Sequence, residues 1–144
     1  MKDHIVYLDT KAKEFEKLRN KEKSIIIRGA AGRKLPYGIV YEGDTLYLIN
    51  NNGEGLIKGK ATVKSVFNSE KMTPEQSTKL VDDNKEKLNL SDKQYSKWAG
   101  KRYLVLIEVE KFEEITPFEI DKSKYSNMDD WLPVENIDKV KMIK

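Results

Sequence analysis

The sequence predicts an α+β domain: a small, curved, mostly antiparallel sheet or partly open β-barrel flanked by helices. Three observations carry that expectation. Short β-branched runs recur between turn signals. A turn over Asn50, Asn51, Asn52 and Gly53, of the kind that closes tight hairpins, joins two of them and favours antiparallel pairing. Two helix-start signatures, Thr73 with Gln76 and Ser91 with Gln94, fall together between strands. The 144 residues fit a single domain over 1–144, with those helices as an insertion near 73–100.

In chain order, His4 to Leu8 reads as a strand, after which Asp9 or Thr10 can cap a helix. Ala12, Phe15 and Leu18 recur at helical spacing, with Lys11, Lys13, Glu14, Lys17 and Lys21 on the wet side. Ser24 to Arg28 is apolar on both faces and forms the next strand, ending in a basic glycine-rich loop from Gly29 to Gly38. Ile39 to Tyr41 resumes an extended pattern, and a Glu42–Gly43–Asp44 turn leads into Leu46 to Asn50. From Ile57 the chain alternates, with Ile57, Gly59, Ala61 and Val63 facing inward, and the small residues imply close packing against another element. That alternation slips at Ser65–Phe67, which predicts a bulge. Thr73 with Pro74 opens a helix presenting Leu80, Val81 and Leu88, and Ser91 opens a short one bearing Tyr95 and Trp98 and stopped by Gly100. Tyr103 to Glu110 is a strand, and Phe112 to Ile120, with Pro117, lies at a sheet edge or leaves the sheet. Residues 121–130 are polar and loop-like, and Trp131, Leu132, Val134, Ile137, Val140, Met142 and Ile143 pack the end of the chain onto the body.

Composition narrows the chemistry. With no cysteine, thiolate zinc sites, disulfides and cysteine nucleophiles are excluded. One histidine, His4, has no partner visible in the sequence and leaves little for a histidine-based metal site or triad. No apolar run reaches the length of a membrane span and no signal peptide is evident, so a cytoplasmic protein without a membrane partner is expected. The net charge of +3 is uneven: residues 1–72 carry 14 basic and 9 acidic side chains, and residues 73–144 carry 13 and 15. A basic face toward phosphate fits that asymmetry, as does an ordinary lysine-rich surface.

The stretch from Lys23 to Asn50, with "EGDTLYLIN" leading to "GLIKGKATVKSVF", resembles the PUA-like superfamily and in particular its ASCH and EVE branches. "WAGKRYLVLIEVEKFEEITP" is similar to the long strand and trailing segment that follow the helical insertion in those proteins. The resemblance implies a PUA-like domain with a cleft beside the sheet that takes RNA or a modified base. ASCH domains carry the pattern G-x-K-x-x-E-x-R on the first of these strands. Lys23 and Arg28 stand at the lysine and arginine places, while Lys21 replaces the glycine and Ile26 the glutamate. Some members hydrolyse acylated cytidine with a lysine, a threonine and a glutamate. By that likeness Lys23 is the candidate catalytic amine if the protein is an enzyme, with a carboxylate from elsewhere such as Glu70 or Glu108.

The residues themselves point to nucleic acid, with protein interaction through the charged helices as a third possibility. The G-A-A-G-R-K loop lacks the spacing and the Ser/Thr of a phosphate-binding P-loop. Arg28, Arg33 and Lys34 are the phosphate-ligand candidates, two of them among the chain's four arginines, and Tyr37 is placed to stack on a base. The structural alternative has Arg28 pairing with Glu108 or Glu42 to close the barrel end. Tyr47 and Asn50 can read a base edge from the neighbouring strand, although Tyr47 also suits a half-buried sheet surface. Trp98 and Trp131 read first as core, and as walls of an aromatic pocket second. Asp82–Asp83 and Asp129–Asp130 read as solvated acids, so no metal or cofactor is expected.

Overall fold

The computed structural model describes residues 1–121 and 130–141. Six strands, β1 (Asp3–Leu8), β2 (Ile25–Ala30), β3 (Thr45–Asn50), β4 (Leu56–Asn68), β5 (Tyr103–Glu119) and β6 (Trp131–Pro133), form one sheet in the order β2-β5-β4-β3-β1-β6. Among the described residues only the β1–β3 pair is parallel. Four helices flank the sheet: α1 (Glu14–Arg19), α2 (Pro74–Asp83), α3 (Lys85–Leu88) and α4 (Asp92–Trp98). The last three lie between β4 and β5. This is the expected α+β architecture, a mixed sheet curled into a half-barrel.

Alternation builds the curl. Along β4, Gly59, Ala61 and Val63 are buried toward the curl between more exposed neighbours, whereas a register shift between Ile57 and Gly59 turns Ile57, expected on the same face, to the other side with Ile5 and Ile49. Leu46 and Leu48 of β3, Val6 and Leu8 of β1, Ile26 of β2 and Val105 and Ile107 of β5 meet inside the curl, with Phe15 and Leu18 of α1 plugging it. The small residues of β4 make room for that plug: a Cβ at Gly59 would fall 3.0 Å from the Phe15 ring. The opposite face of β2 and β5, through Ile25, Ile27, Leu104 and Leu106, packs on Val81, Leu88 and Trp98 from α2–α4. A third cluster joins Ile5, Ile49 and Ile57 to Leu132, Val134, Ile137 and Val140, so these residues of the terminal segment pack as expected. Met142, Ile143 and most of the polar 121–130 stretch lie outside the described residues.

Both capping boxes form, with Thr73 accepting from the Gln76 N–H and Ser91 from the Gln94 N–H, each glutamine answering in return. Gly100, at φ +97°, ends the α4 segment. The β4–β5 register shifts between Val63 and Ser65, at the start of the expected bulge. Beyond Glu108, β5 has no β2 partner, so Pro117 stands where one side of the strand is free, and the strand nevertheless continues to Glu119.

Four further local expectations are corrected. Ile39–Tyr41 is turn and irregular backbone rather than strand, because the Tyr41 N–H bonds to the Asp44 carboxylate instead of a ladder. Helix α1 begins at Glu14, one turn later than expected, since Asp9 holds the Ala12 N–H in a turn and Lys13 takes a left-handed φ of 57°. β2 runs on through Gly29 and Ala30, paired with Leu104 and Tyr103, so the loop starts two residues later. A side chain at Gly29 would meet Leu104 Cδ2 at 2.6 Å, which accounts for a glycine inside the strand. His4 has partners after all, described below. No helix among the described residues is long and apolar enough to cross a membrane.

Candidate nucleic-acid cleft

Arg28 projects from β2 into the curl, on the same face as Ile26, and its side chain is buried. One terminal nitrogen donates to the Ile27 carbonyl at 2.7 Å and the other crosses to the Tyr7 carbonyl of β1, also at 2.7 Å. β2 and β1 are separated in the sheet by β5, β4 and β3, so this bond laces the half-barrel across its open side. The partners anticipated from sequence, Glu108 and Glu42, are not used: Glu108 pairs with Lys87 at 3.0 Å and Glu42 is exposed. Among the described residues Arg28 pairs with no carboxylate, and its buried Nε has no partner.

Two adjoining hollows, with cavity volumes of about 50 and 100 Å³, are both lined by Arg28, Trp98 and Asp130. The first adds Tyr7, Asp9, Glu14, Asn51, Gln94 and Lys97. The second adds Gly29, Lys34, Leu35 and Trp131. Larger depressions along α2 are bordered mainly by charged surface side chains such as Asp82 and Asp83 and contain no buried polar group.

The polar lining has a definite order. Gln94 is buried, and its side-chain oxygen is taken by the Ser91 N–H, which leaves the amide NH₂ as the group able to donate into the first hollow. Glu14 is buried as well, one oxygen accepting from the Asp9 N–H at 2.8 Å and the other 3.8 Å from Lys23 Nζ. Tyr7 has its phenol pushed up by burial and then by the Asp130 carboxylate. Acceptors and donors thus share the lining with Arg28.

Trp131 is held from behind. Its indole N–H donates to His4 Nδ1 at 3.1 Å, and His4 Nε2 lies 2.9 Å from Asp44 Oδ2. An indole can only donate, so Nδ1 is the accepting nitrogen and Nε2 carries the hydrogen toward Asp44. Asp44 also accepts from the Lys2 and Tyr41 N–H groups; burial pushes its carboxyl up, but these bonds and the His4 contact together hold it below the ordinary value.

Of the sequence-derived candidates, Arg28, Lys34 and Trp131 line the cleft. Arg33 does not; its guanidinium lies over Tyr37 and Tyr103, 5.5 and 5.7 Å from the ring centres. Tyr37 is half-buried and donates to the Ser69 carbonyl at 2.5 Å. Tyr47 faces away from the curl, packed edge-to-face with Phe118, and the adjoining Asn51 rather than Asn50 reaches the hollow. Lys23 sits behind the cleft wall with its side chain fully buried, donating to the Leu88 carbonyl and facing Glu14. Burial pushes its ammonium down to about 8; Glu14 opposes the fall, and Arg28 and Lys17 add to it. Glu70 is exposed and Glu108 is engaged with Lys87, so the carboxylate beside Lys23 is Glu14. Sequence reasoning placed Glu14 on the wet side of its helix and saw Gln94 only as a cap.

No family model matches the chain, and no curated protein does either. Solved structures do. A serine-to-alanine variant of an ASCH protein from Zymomonas mobilis superposes with a TM-score of 0.69 at 13% identity, covering 96% of this chain and 92% of that one. A tyrosine-to-phenylalanine variant of it gives 0.68 at 14% identity, over 96% and 94%. The parent ASCH structure from the same organism gives 0.64 at 14% identity, over 90% and 82%. The chain therefore has the α+β half-barrel fold of ASCH-domain proteins, a PUA-like fold.

Proposed function

We propose that the protein binds nucleic acid, RNA or a modified base, by seating one unpaired base in the cleft around Arg28. The observation that carries this reading is the buried guanidinium with an unpartnered Nε, lining one hollow together with Trp98 and Trp131. Phosphate is not what the interior suits, because Asp9, Glu14 and Asp130 share the lining with Arg28. A base edge is suited: its carbonyl oxygen accepts from Arg28 or Gln94, and its amino or imino hydrogens meet the carboxylates. Phosphates then fall on the rim, where Lys34, Lys97 and Arg33 are exposed. A duplex keeps its bases stacked and paired, so the reading calls for single strands or flipped bases.

Both tryptophans of the chain line the cleft, so their fluorescence reads its occupancy directly. Titration with single-stranded RNA, single-stranded DNA and duplex DNA at two salt concentrations is expected to quench the signal with the single strands, more weakly at high salt. Arg28→Lys, which keeps the charge and loses the fork, and Lys34→Ala are expected to weaken binding. No quenching by any ligand at low salt, with the fold intact by circular dichroism, overturns the proposal.

A second reading, hydrolysis of an acylated nucleoside, is favoured by one contact: Glu14 reaches the first hollow with Lys23 directly behind it. In it Glu14 activates the water and Lys23 acts through Glu14. Chromatography of the same mixtures with an acylated cytidine added, in the parent and in Glu14→Gln, decides between binding alone and turnover.

A further inference from the structure

We infer that the ligand is a strand of at least two nucleotides, the second base stacking in the notch formed by Tyr37 and Tyr103, where Arg33 now lies. The inference rests on the base-in-cleft reading and extends it to a neighbouring site. Arg28 and Ala30 share one face of β2, two residues apart, and Tyr103 stands directly across from Ala30 in the β2–β5 ladder. The notch therefore continues the surface that holds Arg28, at a diagonal of the same sheet face. Loop residues 33–35 bridge the two places: Lys34 and Leu35 line the second hollow while Arg33 reaches over the tyrosines.

The notch is built rather than incidental. The two rings meet edge-to-face at 87° with centroids 5.7 Å apart, and the Tyr37 hydroxyl is tied to the Ser69 carbonyl, which holds the Tyr37 ring in place. Its present occupant has the shape and stacking habit of a base. A guanidinium is planar and lies on aromatic faces as a base does, and Arg33 is solvent-exposed on the loop that follows β2. A base entering the notch displaces Arg33 toward the phosphate that links it to the base in the cleft. There the guanidinium fork matches the phosphate oxygens. The arginine and the second base thus exchange one aromatic face for a stack and a charged contact.

The test is a length series, a ribonucleoside monophosphate, a dinucleotide and a tetranucleotide, titrated by tryptophan quenching against the parent, Tyr103→Leu and Arg33→Ala. Leucine keeps apolar bulk at a half-buried position and removes the stacking face. In the parent, affinity is expected to rise on the order of tenfold from mononucleotide to dinucleotide, and little further to the tetranucleotide. In Tyr103→Leu that ratio falls toward one, and in Arg33→Ala it falls with a reduced salt dependence. Equal affinity for mononucleotide and dinucleotide in the parent overturns the second site while leaving the cleft reading intact. A ratio unchanged in Tyr103→Leu also overturns it. Quenching by none of the three ligands overturns the cleft reading and the second site together.

Discussion

Lys23 and Glu14 are a buried ion pair in which neither partner is exposed, and burial pushes the lysine down to about 8. In the unfolded chain a lysine titrates near 10.4. Between about pH 8 and that value the unfolded chain holds a proton that the folded one has released, so stability rises with pH across the window. Below pH 8 both states are protonated and the cost of burying the charge is constant. Compared with Lys23→Met, the parent is therefore expected to gain up to about 3 kcal/mol from pH 7.5 to 10.5, read from urea midpoints at each pH. A difference that stays flat across the range would mean that Lys23 is not desolvated in the folded state. Arg28 and Lys34, which line the cleft, were legible as candidates because an arginine near a strand end and a lysine in the following loop stand close together in the sequence. Glu14 was not, because its burial depends on the late start of α1, which is set by Asp9 and by the left-handed Lys13. Gln94 hid behind its cap: one amide oxygen serves the helix and the other end of the same group faces the hollow.

Strand β4 and helix α1 are fitted to each other at one point. A Cβ at Gly59 would stand 3.0 Å from the Phe15 ring and 3.2 Å from the Glu113 carbonyl, and the carbonyl belongs to a paired strand that cannot retreat freely. Gly59→Ala is expected to destabilise the fold by about 1–3 kcal/mol, and Phe15→Leu in the same chain to recover part of that loss, as measured in a double-mutant cycle. Loss of equal size with and without Phe15→Leu would place the strain at β5 instead. The hairpin turn, both capping boxes and the inward stripe of β4 beyond Ile57 could be read in advance because each is decided within a few residues. The parallel pairing of β1 with β3 could not, since it joins segments separated by α1, β2 and the 31–44 loop. Ile39–Tyr41 has strand-like residues, yet the Asp44 carboxylate captures the Tyr41 N–H, and that local bond overrides the propensity.

Across the molecule, the sheet closes no hydrogen-bonded cylinder among the described residues; Arg28 spans the gap with one side chain. Lysine can keep the charge there but cannot reach two carbonyls with a planar fork. Arg28→Ala is expected to lose about 2 kcal/mol or more, from a charge-assisted bond and the packing of its stem, with Arg28→Lys intermediate, by urea denaturation. An Arg28→Ala protein as stable as the parent would show that the curl is held by its core alone. The same residue faces both hollows, so a ligand that bonds to its free Nε also bears on the closure of the half-barrel. Charge asymmetry between the two halves of the sequence hinted at a basic face, whereas the folded cleft mixes signs, a pattern that only the curl brings together.

His4 gives this architecture an unplanned convenience. It is the one histidine in 144 residues, and its ring is bonded to the indole that walls the second hollow. A proton spectrum of the side chain therefore contains a single imidazole, assigned without labelling or mutation, and any shift of Trp131 on ligand entry moves that resonance. The chain carries its own spectroscopic gauge, one hydrogen bond away from the cleft.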